Sequence, residues 1–493
     1  MSLSEPSSLH TSVANDDPEE PFRWVIHGNV VIPTGNPFSS SIPPPCEEEP
    51  DVEWLGPGLK LCKKHVVAVD HDGVIVLICH ESVLDLEGYT RKRAYVKLGP
   101  LEFLSPGFID LHIHAPQFAF TGTATDRPLM GQDGWLETYT FPAEQSLQDD
   151  LPKARRVYKG VVRKTLSSGT TTACYFATLD LEPCKVLVDV ALNLGQRALV
   201  GKVCMDRHSP ENYVQSTQQN IDETRELIEY IHKRAGKLGE RPVLPLLLPI
   251  ITPRFIPTCT PELLSALGKL ATEHECHIQS HISESADEVE FTQYLEGSDR
   301  TDADIFDSHS LLSDRCIMAH GVYLSEPDLD LMRKRGSAVA HCPLSNFFFG
   351  GTTLPCRKLM ERDNKVGLGT DVAGGYSPCM LNSARMAVVA SHAHQQKSIG
   401  ENNAVLDYRH AFYLATLAGA EALGVSDKIG TFKLGMELDA LILQVSSNVD
   451  ILETDTTADV FQKILNLGDD RNVKRVFVQG REVMSGGSIL SVI

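Results

Sequence analysis

The sequence predicts an α/β protein, a TIM-like (β/α)8 barrel with a small β-sandwich domain formed from both chain ends. Three observations carry this expectation. Between about Pro106 and Gly430, eight short apolar segments alternate with helix-like stretches. The two chain ends share a β-rich grain that the middle lacks. Histidines and carboxylates gather at the C-terminal ends of the apolar segments, the face on which barrel active sites lie. The chain has 493 residues, 42% hydrophobic and 22% charged, which suits a globular protein with a large core.

Residues 1–20 are polar, acidic and rich in Ser and Pro, and are predicted to be a disordered tail. They lack the basic and apolar regions of a signal or transit peptide. Residues 21–105 form the N-terminal part of the small β domain. There FRWVIHGNVVI (22–32) reads as a strand, the Pro/Ser/Glu-rich segment 33–57 as a loop, and VVAVDHDGVIVLIC (66–79) as a hairpin turning at His71-Asp72-Gly73. Residues 106–430 form the barrel. Its strands are predicted at 107–114, 170–176, 198–206, 244–252, 277–283, 316–322, 337–343 and 365–371. Between the third and fourth, residues 220–239 place Ile221, Leu227, Ile228 and Ile231 near helical spacing, with Gly236 and Gly239 as stop signals. Residues 431–493 return to the β domain through ALILQV (440–445) and VKRVFV (473–478). A doubly wound sheet is the weaker reading, because the sequence has no G-x-G-x-x-G and no Walker A motif.

Charge narrows the function classes. Lys and Arg number 45 against 65 Asp and Glu, a net charge of −20. Such a chain repels phosphate backbones and anionic lipid, which argues against nucleic-acid and membrane partners. No apolar run reaches the 18 residues of a membrane span. Twelve cysteines are scattered from Cys46 to Cys379 with no C-x-x-C pair. That usage predicts reduced thiols and a cytoplasmic location.

The polar residues at the strand ends point to a metal. His112 and His114 end the first strand, and alternation puts both on one side. His281 and Glu284 close the fifth strand, His320 and His341 lie late in the sixth and seventh, and Asp371 ends the eighth. Each alone reads as a satisfied core residue. Together they would bury several unpaired polar groups in one place, and coordination removes that cost. Three neutral imidazoles and a carboxylate suit zinc, with iron as a substitute and room for a bound water. A second pair, His392 and His394, falls in a helical stretch where i and i+2 share no face.

The runs PGFIDLHIHAPQ (106–117), HISE (281–284), AHG (319–321) and GLGTD (367–371) resemble the amidohydrolase superfamily. APQ (115–117), WLETYTFPAE (135–144), GKVCMD (201–206), PRF (253–255) and HISESADEVE (281–290) are similar to its guanine-deaminating branch. The resemblance runs from about residue 22 to the C-terminus. It implies one Zn2+ per chain held by His112, His114, His281 and Asp371. In related barrels a lysine on the fourth strand bridges a second metal, and LPLLLPIIT has none. The resemblance also implies conversion of guanine and water to xanthine and ammonia, with Glu284, His320 and Asp371 catalytic. Gln117, Arg254 and Phe255 would hold the purine, alongside His114, His281, Glu284 and Asp371. A homodimer is implied as well. HCPLSN (341–346) departs from the pattern, with Leu344 in place of a small polar residue. The alternatives are an amidohydrolase acting on another purine or pterin-like ring, and an inactive scaffold. Every ligand position is filled, which argues against the scaffold. A smaller zinc deaminase fold needs P-C-x-x-C, and Pro378-Cys379-Met380-Leu381-Asn382 lacks the second cysteine.

Overall fold

The computed structural model describes residues 20–490 apart from 40–49, 91, 93, 124, 132, 238–242, 298 and 398–404. The tail expected over 1–20 lies outside the described residues, except for Glu20. The eight predicted barrel segments all form strands. They are β7 (Phe108–His114), β8 (Thr170–Phe176), β9 (Arg197–Gly201) continued by β10 (Val203–Cys204), β11 (Leu247–Pro253), β12 (His277–Ile282), β13 (Cys316–His320), β14 (Ala338–His341) and β15 (Lys365–Leu368). They pair in parallel in the order β7-β8-β9-β11-β12-β13-β14-β15. The chain leaving β15 returns to β7. There Asp371 N–H donates to the His112 carbonyl at 2.8 Å, and His114 N–H donates to the Val372 carbonyl at 3.0 Å. The last strand therefore closes on the first, and Asp371 arrives beside the two histidines.

These strands read as unbroken apolar runs because helices cover their outer faces and side chains fill the inside. Every residue of β7, β8 and β11 is buried. The helix Thr217–Ala235 shows the local logic. Ser216 Oγ caps it by accepting from Gln219 N–H, Leu227, Ile228 and Ile231 are buried, and Gly236 ends it at φ +82°. Gly239 lies outside the described residues.

The small β domain is a ten-stranded sheet drawn from both chain ends. The N-terminal region gives β1 (Trp24–Pro33), β2 (Val52–Gly56), β3 (Leu59–Val69), β4 (Ile75–His80), β5 (Tyr95–Lys97) and β6 (Glu102–Pro106). The C-terminal region gives β16 (Ala440–Gln444), β17 (Val473–Val478), β18 (Arg481–Ser485) and β19 (Ser488–Ile489). The expected hairpin is the antiparallel pair β3–β4. The ends join where β6 and β16 run antiparallel, with Leu104 opposite Ile442. Trp24, Leu104, Ile442 and Phe477 share one buried cluster, and the Trp24 indole N–H donates to the Gly480 carbonyl at 2.8 Å. The segment 33–57, expected to be a loop, holds β2. Its residues Val52-Glu53-Trp54 alternate well enough to pair with β3, and the Pro and Glu cluster before them hides this.

Candidate active site

The strand ends build the site. Asp110, His112 and His114 alternate on β7, and all three are buried. Asp110 Oδ1 accepts from Thr370 N–H at 2.9 Å and from His112 N–H at 3.2 Å, and Oδ2 accepts from the Thr370 hydroxyl at 2.5 Å. One carboxyl, pushed up to about 6 by burial, thus ties β7 to the residue preceding Asp371. The His281 Nδ1 lies 2.7 Å from the Arg254 carbonyl. A carbonyl only accepts, so Nδ1 carries the proton and Nε2 keeps its lone pair. Ser283, His320 and Asp371 adopt φ of +46°, +74° and +49°. Such conformations are rare for residues other than glycine and gather at functional sites. The Ser283 turn is held by Asp302 Oδ2, which accepts from its N–H at 2.8 Å and its hydroxyl at 3.0 Å. The next residue, Glu284, donates its N–H to Glu288 Oε2 at 3.2 Å.

The donor atoms converge. His112 Nε2 lies 3.1 Å and His114 Nε2 3.4 Å from Asp371 Oδ1, and His114 Nε2 lies 3.1 Å from His281 Nε2. Four ligands placed tetrahedrally at about 2.0–2.1 Å from one ion stand about 3.3 Å apart. His112 Nε2 is buried without a hydrogen-bond partner. An orphaned nitrogen among lone pairs at these spacings fits a divalent cation. Burial pushes His114 down to about 4 and His281 well below its ordinary value, which favours neutral, ligating imidazoles. Cys342 Sγ also falls near His112 and His320. Burial, reinforced by Asp371, holds that thiol far above its usual range and keeps it protonated. The buried lysine nearest in sequence, Lys202 after β9, donates to Gln215 Oε1 at 2.7 Å and Asn220 Oδ1 at 3.2 Å, so it is already engaged.

Two carboxyls beside this cluster are driven apart. Burial raises Asp371, but the neighbouring imidazoles, His112 foremost, more than offset it and hold the group well below the usual range. Glu284 is pushed up to about 8 by burial, with the charge on Asp371 adding to it. Carboxyls separated in this way mark an acid and a base. Between them sits His320, whose Nε2 is 3.5 Å from Glu284 Oε1 and 3.8 Å from Asp371 Oδ2. Its Nδ1 lies 2.9 Å from Asn346 Oδ1. His341, the other histidine noted late in a strand, is fully buried and pushed down to about 3 by burial, hence neutral.

A cleft opens above these residues, lined by His114, Gln117, Arg254, Phe255, His281, Glu284 and Asp371 among others. Leu129, Trp135, Leu136 and Phe349 give it apolar walls suited to a flat ring. Arg254 and Gln117 make part of its lining polar. Arg254 Nη1 and Nη2 donate to Glu144 Oε2 and Oε1 at 2.7 and 3.2 Å, and the guanidinium sits 4.9 Å from the Phe141 ring centre. Gln117 Nε2 donates to Glu144 Oε1 at 2.8 Å.

Of the nine residues assigned to the site from the sequence, seven line this cleft, and His112 and His320 lie against Asp371 and Glu284 beside it. Sequence reasoning missed Glu144, Asn346 and Asp110 as individuals. Glu144 closes the WLETYTFPAE block and Asn346 closes HCPLSN, so the signal was present without a partner. Leu344, the departure in HCPLSN, is buried, and Ser345 of that segment and Phe349 just after it line the cleft instead.

A closed parallel barrel with a three-imidazole, one-carboxylate cluster at its C-terminal mouth has the form of a metal-dependent hydrolase. Residues 103–483 match the amidohydrolase family, and the chain belongs to that family. It is 40% identical to a guanine deaminase of Mus musculus over 444 residues, covering 87% of this chain and 94% of the relative. A guanine deaminase of Dictyostelium discoideum is 39% identical over 440 residues, covering 86% and 94%. Among solved structures, guanine deaminase from C. acetobutylicum with bound guanine superposes with a TM-score of 0.79 at 26% identity, covering 94% of this chain and 100% of that one.

Proposed function

We propose that this protein is a guanine deaminase, which adds water at C2 of guanine and releases ammonia to leave xanthine. The observation that carries the reading is one cleft holding the convergent donor cluster, two carboxyls of opposed acidity and, in its lining, Arg254 and Gln117. The residues fit a divalent ion, taken here as one zinc held by His112, His114, His281 and Asp371. When bound, such an ion makes hydroxide available near neutral pH. Asp371, held as a carboxylate, accepts the proton of the attacking water. Glu284, held as an acid, brings a proton to ring N3 so that C2 accepts the nucleophile. His320 Nε2 faces both carboxyls and stabilises charge developing between them. Asp371 passes the proton it took from water to the exocyclic amine, which departs as ammonia, and the C2 hydroxyl proton goes to Glu284 and restores its acid form as the C2 oxo group forms. Arg254 and Gln117 hold the ring by its polar edge while Phe255 and the apolar walls exclude water.

A cytoplasmic homodimer completes the reading. It rests on the family resemblance and on free cysteines, which number eleven among the described residues. No helix among the described residues is long and apolar enough to cross a membrane. The decisive experiment incubates the metal-loaded protein with guanine, adenine, cytosine and methylthio-adenosine, following ammonia and the ultraviolet spectrum. Guanine should shift to the xanthine spectrum with stoichiometric ammonia. Turnover of another base with guanine inert would overturn the assignment. Light scattering tests the dimer separately.

A further inference from the structure

Glu144 is fully buried and makes no hydrogen bond to the donor cluster or to the two catalytic carboxyls among the described residues, yet four hydrogen bonds end on it. Two come from Arg254, one from Gln117 Nε2 and one from the Tyr213 hydroxyl at 2.9 Å. A carboxylate only accepts, so every group around it must turn a hydrogen inward. Burial alone would raise this carboxyl, but the adjacent guanidinium outweighs burial and keeps it ionised.

The consequence reaches the ligand through Gln117. Its amide could in principle point either way. Its Nε2 meets a carboxylate that cannot donate, and its Oε1 accepts from Ala373 N–H, which cannot accept, at 3.2 Å. Only one orientation satisfies both ends. The second Nε2 hydrogen, one lone pair of Oε1 and the unused guanidinium hydrogens of Arg254 remain, and both residues line the cleft. That wall of the pocket therefore offers more donors than acceptors.

We infer that Glu144 is a specificity-determining positioning residue, which fixes the orientation of the Gln117 amide and of the Arg254 guanidinium, a donor in any orientation, and so selects a ring carrying an oxo group over one carrying an amino group at the same position. The inference rests on the proposed purine-binding roles of Gln117 and Arg254. An amino group against this wall sets donor against donor, and a buried donor left unpaired is costly.

The test uses hypoxanthine and adenine. They differ at the ring position in question and carry no C2 amine to be removed. Their dissociation constants are measured by calorimetry on the metal-loaded wild type, Glu144→Gln and Glu144→Asp, with circular dichroism and metal content alongside. The wild type should prefer hypoxanthine. In Glu144→Gln an amide can donate as well as accept, so the orientation of Gln117 is left to the single 3.2 Å hydrogen bond from Ala373 N–H. The preference should shrink at least about tenfold. Glu144→Asp keeps the charge beside Arg254 but withdraws the oxygens by about 1.5 Å, loosening Gln117, and reads the same effect if the glutamine variant fails to fold. A folded variant of either kind with an unchanged preference overturns the inference, as does a wild type with none. Absence of guanine turnover by the wild type would instead strike the functional assignment.

Discussion

Glu284 and Asp371 are both buried carboxyls near three imidazoles, yet they face opposite ways in acidity. Removing acid function from Glu284 while keeping its shape separates its role from metal binding. Glu284→Gln should lower kcat by about 10²- to 10⁴-fold while metal analysis finds the site full. Loss of metal instead would make Glu284 a ligand or its support. The raised pKa of Glu284 also sets a pH limb. The charged form is disfavoured, so the acid form survives through neutrality and is lost as pH rises. A nearby cation favours the carboxylate and draws the midpoint down. The alkaline limb of kcat/KM should accordingly fall above the ordinary carboxylate range and at or below about 8, and Glu284→Gln should abolish it. Arg254 makes a different demand. It forks onto Glu144 and stacks on Phe141, a geometry that a point charge on a flexible stem does not reproduce. Arg254→Lys should raise KM for guanine and leave metal content unchanged; unaltered kinetics would remove Arg254 from the site.

At the scale of elements, the site depends on how closely β7 meets the chain leaving β15. Gly369, in GLGTD, sits in that seam. A Cβ there would lie 2.8 Å from both Cys342 Sγ and His112 Cβ, inside packed strands with little room to yield. Gly369→Ala should displace His112 and weaken metal affinity by about 10- to 100-fold, read by competition with a chelator, with the circular dichroism of the barrel retained. Wild-type affinity would show that the seam relaxes without moving the ligand. This level of structure was largely legible in the sequence. A parallel strand buried on both faces is an apolar run, and it stops being one where a side chain must do chemistry. His112, His281, His320 and Asp371 announced themselves by breaking such runs. Glu144 did not, because its meaning lies in Arg254, 110 residues away, and no local period reports a contact across a barrel mouth. Strand β2 was lost for the opposite reason, its short alternation masked by the Pro and Glu residues before it.

The whole molecule poses the question of what couples the barrel to the sheet built from both chain ends. Arg197 begins β9 and is one of the largest fully buried side chains. Its Nε and Nη2 donate to Asp439 Oδ2 and Oδ1 at 2.9 and 3.1 Å, and Nη2 also donates to Glu437 Oε2 at 2.9 Å. Its Nη1 donates to the carbonyls of Leu244 and Pro245. Both carboxylates come from the stretch leading into β16, which pairs with β6 in the terminal sheet. The cluster therefore fastens the N-terminal rim of the barrel, opposite the catalytic mouth, to the sheet. Charges this deep are tolerated because every one is paired, and removing one partner leaves another stranded. Asp439→Ala strips Arg197 of its two-pronged partner and leaves the Gln479 N–H, which donates to Asp439 Oδ1 at 2.7 Å, without an acceptor. The expected loss is about 3–5 kcal/mol of folding stability, measured by denaturant unfolding. Metal content and kcat per folded molecule should stay at wild-type values, since the active-site strand ends lie at the other face. A variant as stable as the wild type would show that the cluster is not what holds the two sheets together. A fully folded variant with depressed kcat would show that the bottom of the barrel is mechanically coupled to its mouth.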